Sequence, residues 1–284
     1  MNWPNALICE LAERRCAIFL GSGASAGSKG IGGVHPPDWK TFLEHLMAKM
    51  QTTSEQAIAE SLIAEKRYLE AAEVIKSDVA IADFTQFIRD ELVAPKFAAS
   101  EIHKSVLQID PKIVLTTNYD DIYDTYCRNG DAAAGYNVCK YYDSHLVSDL
   151  RSPIRLIVKA HGCISNPSKI VLTRSDYFEQ RLEHERFFHV LDGLFVTSTL
   201  LFIGYSLSDP DIQLVLENAN IAAPRAHPHY AVIPDDAHAA LRKSWSKSYN
   251  IQFIDYPAGD YTLLNNKLIE LTQSVNEYRK LHIS

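Results

Sequence analysis

Cys16-Ala17-Ile18-Phe19-Leu20-Gly21-Ser22-Gly23-Ala24-Ser25 is an apolar run that stops abruptly at small residues. Such a break reads as a buried strand feeding a ligand-binding turn. Gly21, Gly23 and Ala26 have the G-x-G-x-x-A spacing. In that pattern the first position allows a tight turn, the second lets backbone N–H groups approach a pyrophosphate, and the third lets helix and strand pack closely. A short glycine motif also occurs as a plain turn between core elements, so the rest of the chain has to decide. A Walker A loop is excluded, because Lys29 follows Ser28 and the Gly-Lys-Ser/Thr ending is absent.

Upstream of this strand, Leu7, Ile8 and Leu11 have helical spacing. Downstream, four glycines in residues 27–33 suggest a mobile cover, and Pro36-Pro37-Asp38 starts an amphipathic helix carrying Trp39, Phe42, Leu43 and Leu46. Residues 57–64, 68–75, 84–92 and 102–107 all show the 3.6-residue period, with no strand-like alternation between them. That is too long for an ordinary crossover between strands. We therefore expect a helical insertion over residues 40–108 within a single domain of residues 1–284.

Further strands are expected at 112–117, 154–159, 169–172, 200–204, 229–233 and 250–254, and helices at 122–128, 183–197, 236–247 and 261–280. Thr173 and Asp176 have the spacing of a capping box after the 169–172 segment. Strands alternating with helices give an α/β fold: a Rossmann-like, doubly wound, mostly parallel sheet. In such sheets ligands bind at the carboxyl ends of the strands. Those ends carry polar blocks here: Asn118-Tyr119-Asp120-Asp121, Ala160-His161-Gly162-Cys163 and Gly204-Tyr205-Ser206-Leu207-Ser208-Asp209.

Composition narrows the function classes. With 46% hydrophobic and 22% charged residues the chain can bury a full core. A net charge of -7 argues against a nucleic-acid-binding surface, which needs clustered Lys and Arg. Cys9, Cys16, Cys127, Cys139 and Cys163 are odd in number and form no C-x-x-C pair, so neither a disulfide framework nor structural zinc is expected. The N-terminus lacks a basic and apolar leader, and the apolar patch at 193–204 is too short to span a bilayer. A cytoplasmic protein without a membrane span is the expectation.

In their order and spacing, the four blocks at 21–25, 116–120, 159–162 and 204–209 resemble the sirtuin superfamily, specifically the sirtuin-like NAD-consuming domains of bacterial anti-phage defence systems. The resemblance implies that Gly21, Ser22, Gly23 and Ser25 hold the NAD pyrophosphate, and that Asn118 and Asp120 lie beside the nicotinamide ribose and carboxamide. It further implies that His161 acts at the ribose and that Gly204 and Ser206 hold the adenosine side. Deacetylating sirtuins carry two C-x-x-C zinc pairs after the His, whereas residues 163–203 contain only Cys163, and Trp39-Lys40 stands where those enzymes have Phe-Arg. NAD cleavage, with NAD as substrate and no structural zinc, is thus implied in preference to deacetylation. A homo-oligomer, and a HerA-type DNA-translocase ATPase as partner, are implied as well, with the helical insertion as the contact surface.

The chemistry fits without the name. Breaking the nicotinamide glycosidic bond expels a leaving group that is already cationic, so positioning and a base suffice. An Asn amide can orient ribose hydroxyls and a water, and a His of ordinary pKa ~6.5 can take a proton at neutral pH. Cys163 reads as packing, Asp209 and Asp211 as the entry to a helix with Pro210 in its first turn, and Glu183 and Glu185 as a solvated helix face. Competing readings are a module that senses NAD or ADP-ribose without turnover and a nuclease subunit. Both Asn118 and His161 being present favours the enzyme.

Overall fold

The computed structural model describes residues 2–129, 135–224 and 226–283. Seven strands form one sheet: β1 (Cys16–Leu20), β2 (Ile113–Thr116), β3 (Tyr136–Lys140), β4 (Arg155–Lys159), β5 (Thr199–Ile203), β6 (His229–Pro234) and β7 (Ile251–Tyr256). Their order is β3-β4-β2-β1-β5-β6-β7, and every pairing is parallel. The sheet is α/β and Rossmann-like as the alternation implied, wholly rather than mostly parallel among the described residues.

Alternate residues of the central strands feed two cores. Phe19, Leu115, Val158 and Phe202 pack with Phe187, Leu191, Phe195, Ile212 and Leu216, which belong to the helices Glu185–Thr197 and Pro210–Ala222. Ile18, Val114, Ile157 and Ile203 pack on the other face with Leu7, Leu11, Val106, Leu268 and Leu271, from the helices Asn5–Ala12, Glu101–Ile109 and Tyr261–His282. Strands buried on both faces read as continuous apolar runs, which is why they stood out in the sequence.

Two expected features differ. Residues 169–172 are not a strand: a 3₁₀ turn at Pro167–Lys169 leads into an irregular segment whose Val171 N donates to His161 O at 3.1 Å. Its apolar residues serve packing instead, Ile170 and Leu172 joining the helices that follow β1. The strand β3, in contrast, carries only one fully buried residue, Cys139, and its half-buried pattern at the sheet edge resembles a loop. The expected capping box is present, Thr173 and Asp176 exchanging hydrogen bonds at the start of the helix Arg174–Glu183.

Between β1 and β2 there are only helices. Trp39–Met47, Thr53–Ala64, Tyr68–Asp78 and Ile81–Ile88 bury a third apolar cluster that includes Phe42, Leu46, Ile63, Ile75 and Phe87. Glu101–Ile109 lies instead against the sheet, where Thr272 Oγ1 donates to Ser105 O at 3.5 Å. The glycine-rich segment is tied down rather than a free cover: Ile31 N donates to Pro95 O at 2.7 Å and Ala98 N to Lys29 O at 2.9 Å.

The strand order reverses between β1 and β5, and there two backbones meet. Gly21 N donates to Ile203 O at 3.1 Å and Gly23 N to Gly204 O at 2.9 Å. A Cβ on Gly21 would overlap Gly204 O, one on Gly23 would lie 2.9 Å from Gly204 Cα, and one on Gly204 would overlap Ala24 N. Gly204 also has φ +63°, a left-handed value. Gly204→Ala should therefore destabilise the protein by ~2–4 kcal/mol, combining backbone overlap with a strained φ. Gly32→Ala, at φ +76° with nothing within 4 Å, should cost only ~1 kcal/mol. Urea denaturation of the two variants beside the parent measures the difference.

Candidate active site

A cleft of about 440 Å³ opens over the carboxyl ends of β1, β2, β4 and β5. Ser22 and Ser25 follow β1, Asn118 and Asp120 follow β2, His161 follows β4, and Gly204 and Ser206 follow β5; all seven line it. Gly21 and Gly23 are not among the lining residues; they underlie it through their contact with Gly204. The opposite wall comes from the helices after β1, with Trp39, Phe42 and Tyr68 facing the cleft.

Asn118 is held by both its backbone and its side chain. Its N–H donates to Thr116 Oγ1 at 3.0 Å, and Nδ2 donates to Gly21 O at 3.0 Å and to Ser25 Oγ at 3.3 Å. The amide oxygen takes no hydrogen bond among the described residues, so it is the group left to meet a ligand. Ser25 Oγ donates to Asp120 Oδ2 at 3.0 Å, and Ile122 N donates to Asp120 Oδ1 at 3.1 Å. Burial raises the Asp120 pKa above the ordinary carboxylate value, with the Lys159 ammonium acting in the opposite sense. Ser206 is exposed, its hydroxyl 2.6 Å from that of Ser208.

His161 is 4% exposed, and its Nε2 lies 3.3 Å from Asp209 Oδ2. The same oxygen accepts from Tyr177 OH at 2.7 Å, and the Tyr177 ring stands edge-on to the imidazole with centroids 5.0 Å apart. Burial lowers the His161 pKa below the ordinary value and Asp209 offsets part of that, leaving an imidazole that is neutral at pH 7. Asp209 does cap the helix Pro210–Ala222, its Oδ1 accepting from Asp211 N and Ile212 N at 3.0 Å each. Its second oxygen lies against His161, a contact that the reading of Asp209 as a helix entry alone missed. Tyr177 was missed too. Nothing in their spacing announces the pairing, because His161 and Asp209 stand 48 positions apart in the chain.

The wall is attached at its rim by polar contacts. Lys76 Nζ bonds both Asp176 oxygens at 2.7 Å, Arg174 Nη2 donates to Glu70 Oε1 at 2.9 Å, and Ser175 Oγ donates to Glu73 Oε1 at 2.7 Å. Tyr119 OH donates to Val171 O at 2.6 Å and its ring lies 6.1 Å from that of Phe42. No described helix is long and apolar enough to cross a membrane.

A parallel sheet whose polar cleft sits at the reversal of strand order defines an α/β protein that binds its ligand at the strand ends. The chain belongs to the SIR2-like domain family, which matches residues 112–254. That span includes Asn118, Asp120, His161, Gly204, Ser206 and Asp209, and leaves β1 and its glycine turn outside. Over 281 residues, 96% of this chain, it is 23% identical to the NAD(+) hydrolase ThsA of Acinetobacter baumannii (strain 532279), covering 55% of that protein. The NAD(+) hydrolase ThsA of Bacillus cereus (strain MSX-D12) is 24% identical over 275 residues, 96% of this chain and 53% of the relative. Defense-associated sirtuin 2 of Bacillus subtilis is 30% identical over 122 residues, 40% of this chain and 11% of the relative. The chain spans about half the length of the two hydrolases it matches.

The His161–Asp209 contact has a measurable signature. The His161 ring should titrate with a midpoint below the ordinary ~6.5, since burial favours the neutral form. Asp209→Asn removes the carboxylate that favours the imidazolium, so the midpoint should fall further. NMR titration of the ring resonances in the two proteins tests this; an upward shift in the variant would show that Asp209 does not face His161 in solution.

Proposed function

We propose that this chain hydrolyses NAD to nicotinamide and ADP-ribose and serves anti-phage defence by depleting NAD. The observation that carries the reading is the joining, in one cleft, of an anchored Asn118 amide and a buried His161 that lies beside the Asp209 carboxylate. The names of the relatives, NAD(+) hydrolase and defense-associated sirtuin, support it.

In this reading the Asn118 amide oxygen positions the nicotinamide ribose and the attacking water. The water oxygen bonds to C1′ of the ribose as the C1′–N bond breaks, and that electron pair neutralises the departing nicotinamide. His161 takes the proton that the water loses, which a neutral imidazole can do at pH 7. Ser22 and Ser25 would hold the pyrophosphate with the turn that Gly21 and Gly23 shape, Asp120 the nicotinamide side, and Gly204 and Ser206 the adenosine side. No step calls for a metal, and we expect the chain to fold without zinc. Among the described residues the converging metal-type side chains are Cys139, His145 and Asp149, three where a structural site uses four.

An enzyme that consumes NAD has to be silent in a healthy cell, so its control is expected to come from assembly in the cytoplasm: a homo-oligomer working with a HerA-type ATPase. Light scattering beside an activity assay tests that part; a fully active monomer would refute it.

The central test is nicotinamide release at saturating NAD by the parent and by Asn118→Ala and His161→Ala. Each substitution should lower kcat by ~10²- to 10⁴-fold, and the double variant should lose little more, because both groups act on one ribose and one water. Circular dichroism should be unchanged. A folded His161→Ala protein that binds NAD and turns it over at the parent rate would overturn the assignment, and a parent that binds NAD without cleaving it would leave a sensing module.

A further inference from the structure

His161 is not the only polar group that β4 delivers. Two positions earlier stands Lys159, which closes a strand that Arg155 opens and whose middle is Leu156, Ile157 and Val158. Its side chain is 1% exposed. A charge so deep in a sheet is retained only where it is paired and hydrogen-bonded. Lys159 Nζ donates to the main-chain carbonyl of Asp120 and to Asp124 Oδ2, the latter at 3.3 Å.

From there a continuous set of hydrogen bonds leads to the cleft. Asp120 Oδ2 accepts from Ser25 Oγ at 3.0 Å, and Ser25 Oγ accepts from Asn118 Nδ2 at 3.3 Å. The ammonium thus grips the backbone of the very residue whose carboxylate aims Ser25, and through it Asn118. We propose that Lys159 is a positioning residue of the cleft, fixing the 118–121 turn so that, through Ser25, the Asn118 amide is held in register with the substrate ribose. This rests on the reading of Asn118 given above.

The surroundings keep Lys159 charged. Burial alone would favour loss of its proton, but Asp124 and Asp120 outweigh it and hold its pKa above the ordinary lysine value. The nearby His103 is pushed down to about 4 by burial and is neutral, and the Cys163 thiol is the other titratable group that bears on the ammonium. One cation therefore faces two carboxylates. A purely architectural role is the competing account, in which the ion pair only straps the helix Ile122–Asn129, which carries Asp124, to the sheet.

The two accounts separate in the double variant K159M/D124N, made in the full chain, because removing both members of a buried pair avoids leaving one charge unpaired. Positioning predicts a folded protein that binds NAD within about threefold of the parent by calorimetry, turns over ~10²-fold more slowly, and exchanges its backbone amides faster over residues 117–121. Ser25→Ala, which breaks the relay one link further on and strands no cation, should show a similar loss in kcat at saturating NAD, on top of the weaker NAD binding expected from its place at the pyrophosphate, and keeps the test open if the double variant does not fold. Parent kcat and parent exchange rates in a folded K159M/D124N, or parent kcat in Ser25→Ala, overturn the proposal. If the parent releases no nicotinamide, the hydrolase reading fails by itself, and the exchange comparison still decides whether Lys159 holds the turn.

Discussion

Where β1 and β5 part company, Gly23 N and Gly204 O come within 2.9 Å, and no side chain fits between the two turns. A parallel sheet leaves a crevice where its order reverses, and here the closeness of those backbones fixes the floor of that crevice. Everything polar that follows is placed relative to it. Asn118 Nδ2 hangs from the Gly21 carbonyl, and Thr116 Oγ1 donates to Leu20 O at 2.8 Å, so the end of β2 is referenced to the end of β1. In this chain the glycine spacing of the first turn serves the close packing of two backbones.

The sheet was legible where strands are buried on both faces. Ile18 to Leu20, Val114 and Leu115, and Leu200 to Ile203 are apolar without interruption because helices cover both sides. Apolar runs lose that meaning elsewhere. Ile170, Val171 and Leu172 look the same on paper, yet two of them fill the helical cluster, while Val171 joins the sheet's core and meets the end of β4 through a single backbone hydrogen bond. The edge strand β3 shows the converse, pairing with β4 along its whole length while half-exposed. Periodicity reports burial, and burial coincides with pairing only in the middle of a sheet.

The candidate site was legible in its strand-end residues and opaque in the groups behind them. Seven of the nine residues proposed from the sequence line the cleft, because a polar block after an apolar strand has few other places to be. Asp209 was hidden by its other duty: a carboxylate before Pro210 is explained completely by the two N–H groups it caps, until the second oxygen is found against His161. Lys159 left a visible trace, a charge directly after the apolar run Leu156-Ile157-Val158. What it pairs with depends on the return of residues 120–124 over β4, which no local pattern encodes.

The two sides of the cleft are joined by different forces. The floor belongs to a sheet held by apolar burial on both faces, a grip that added salt leaves intact or tightens. The wall reaches the floor partly through Ile170 and Leu172, but its outer rim is made of Lys76 with Asp176 and Arg174 with Glu70, pairs open enough for ions in solution to screen. How firmly that rim is fastened is therefore a property of the medium as well as of the chain. An ion-rich medium and a dilute buffer would hold the same molecule with the same sheet and a differently tethered edge.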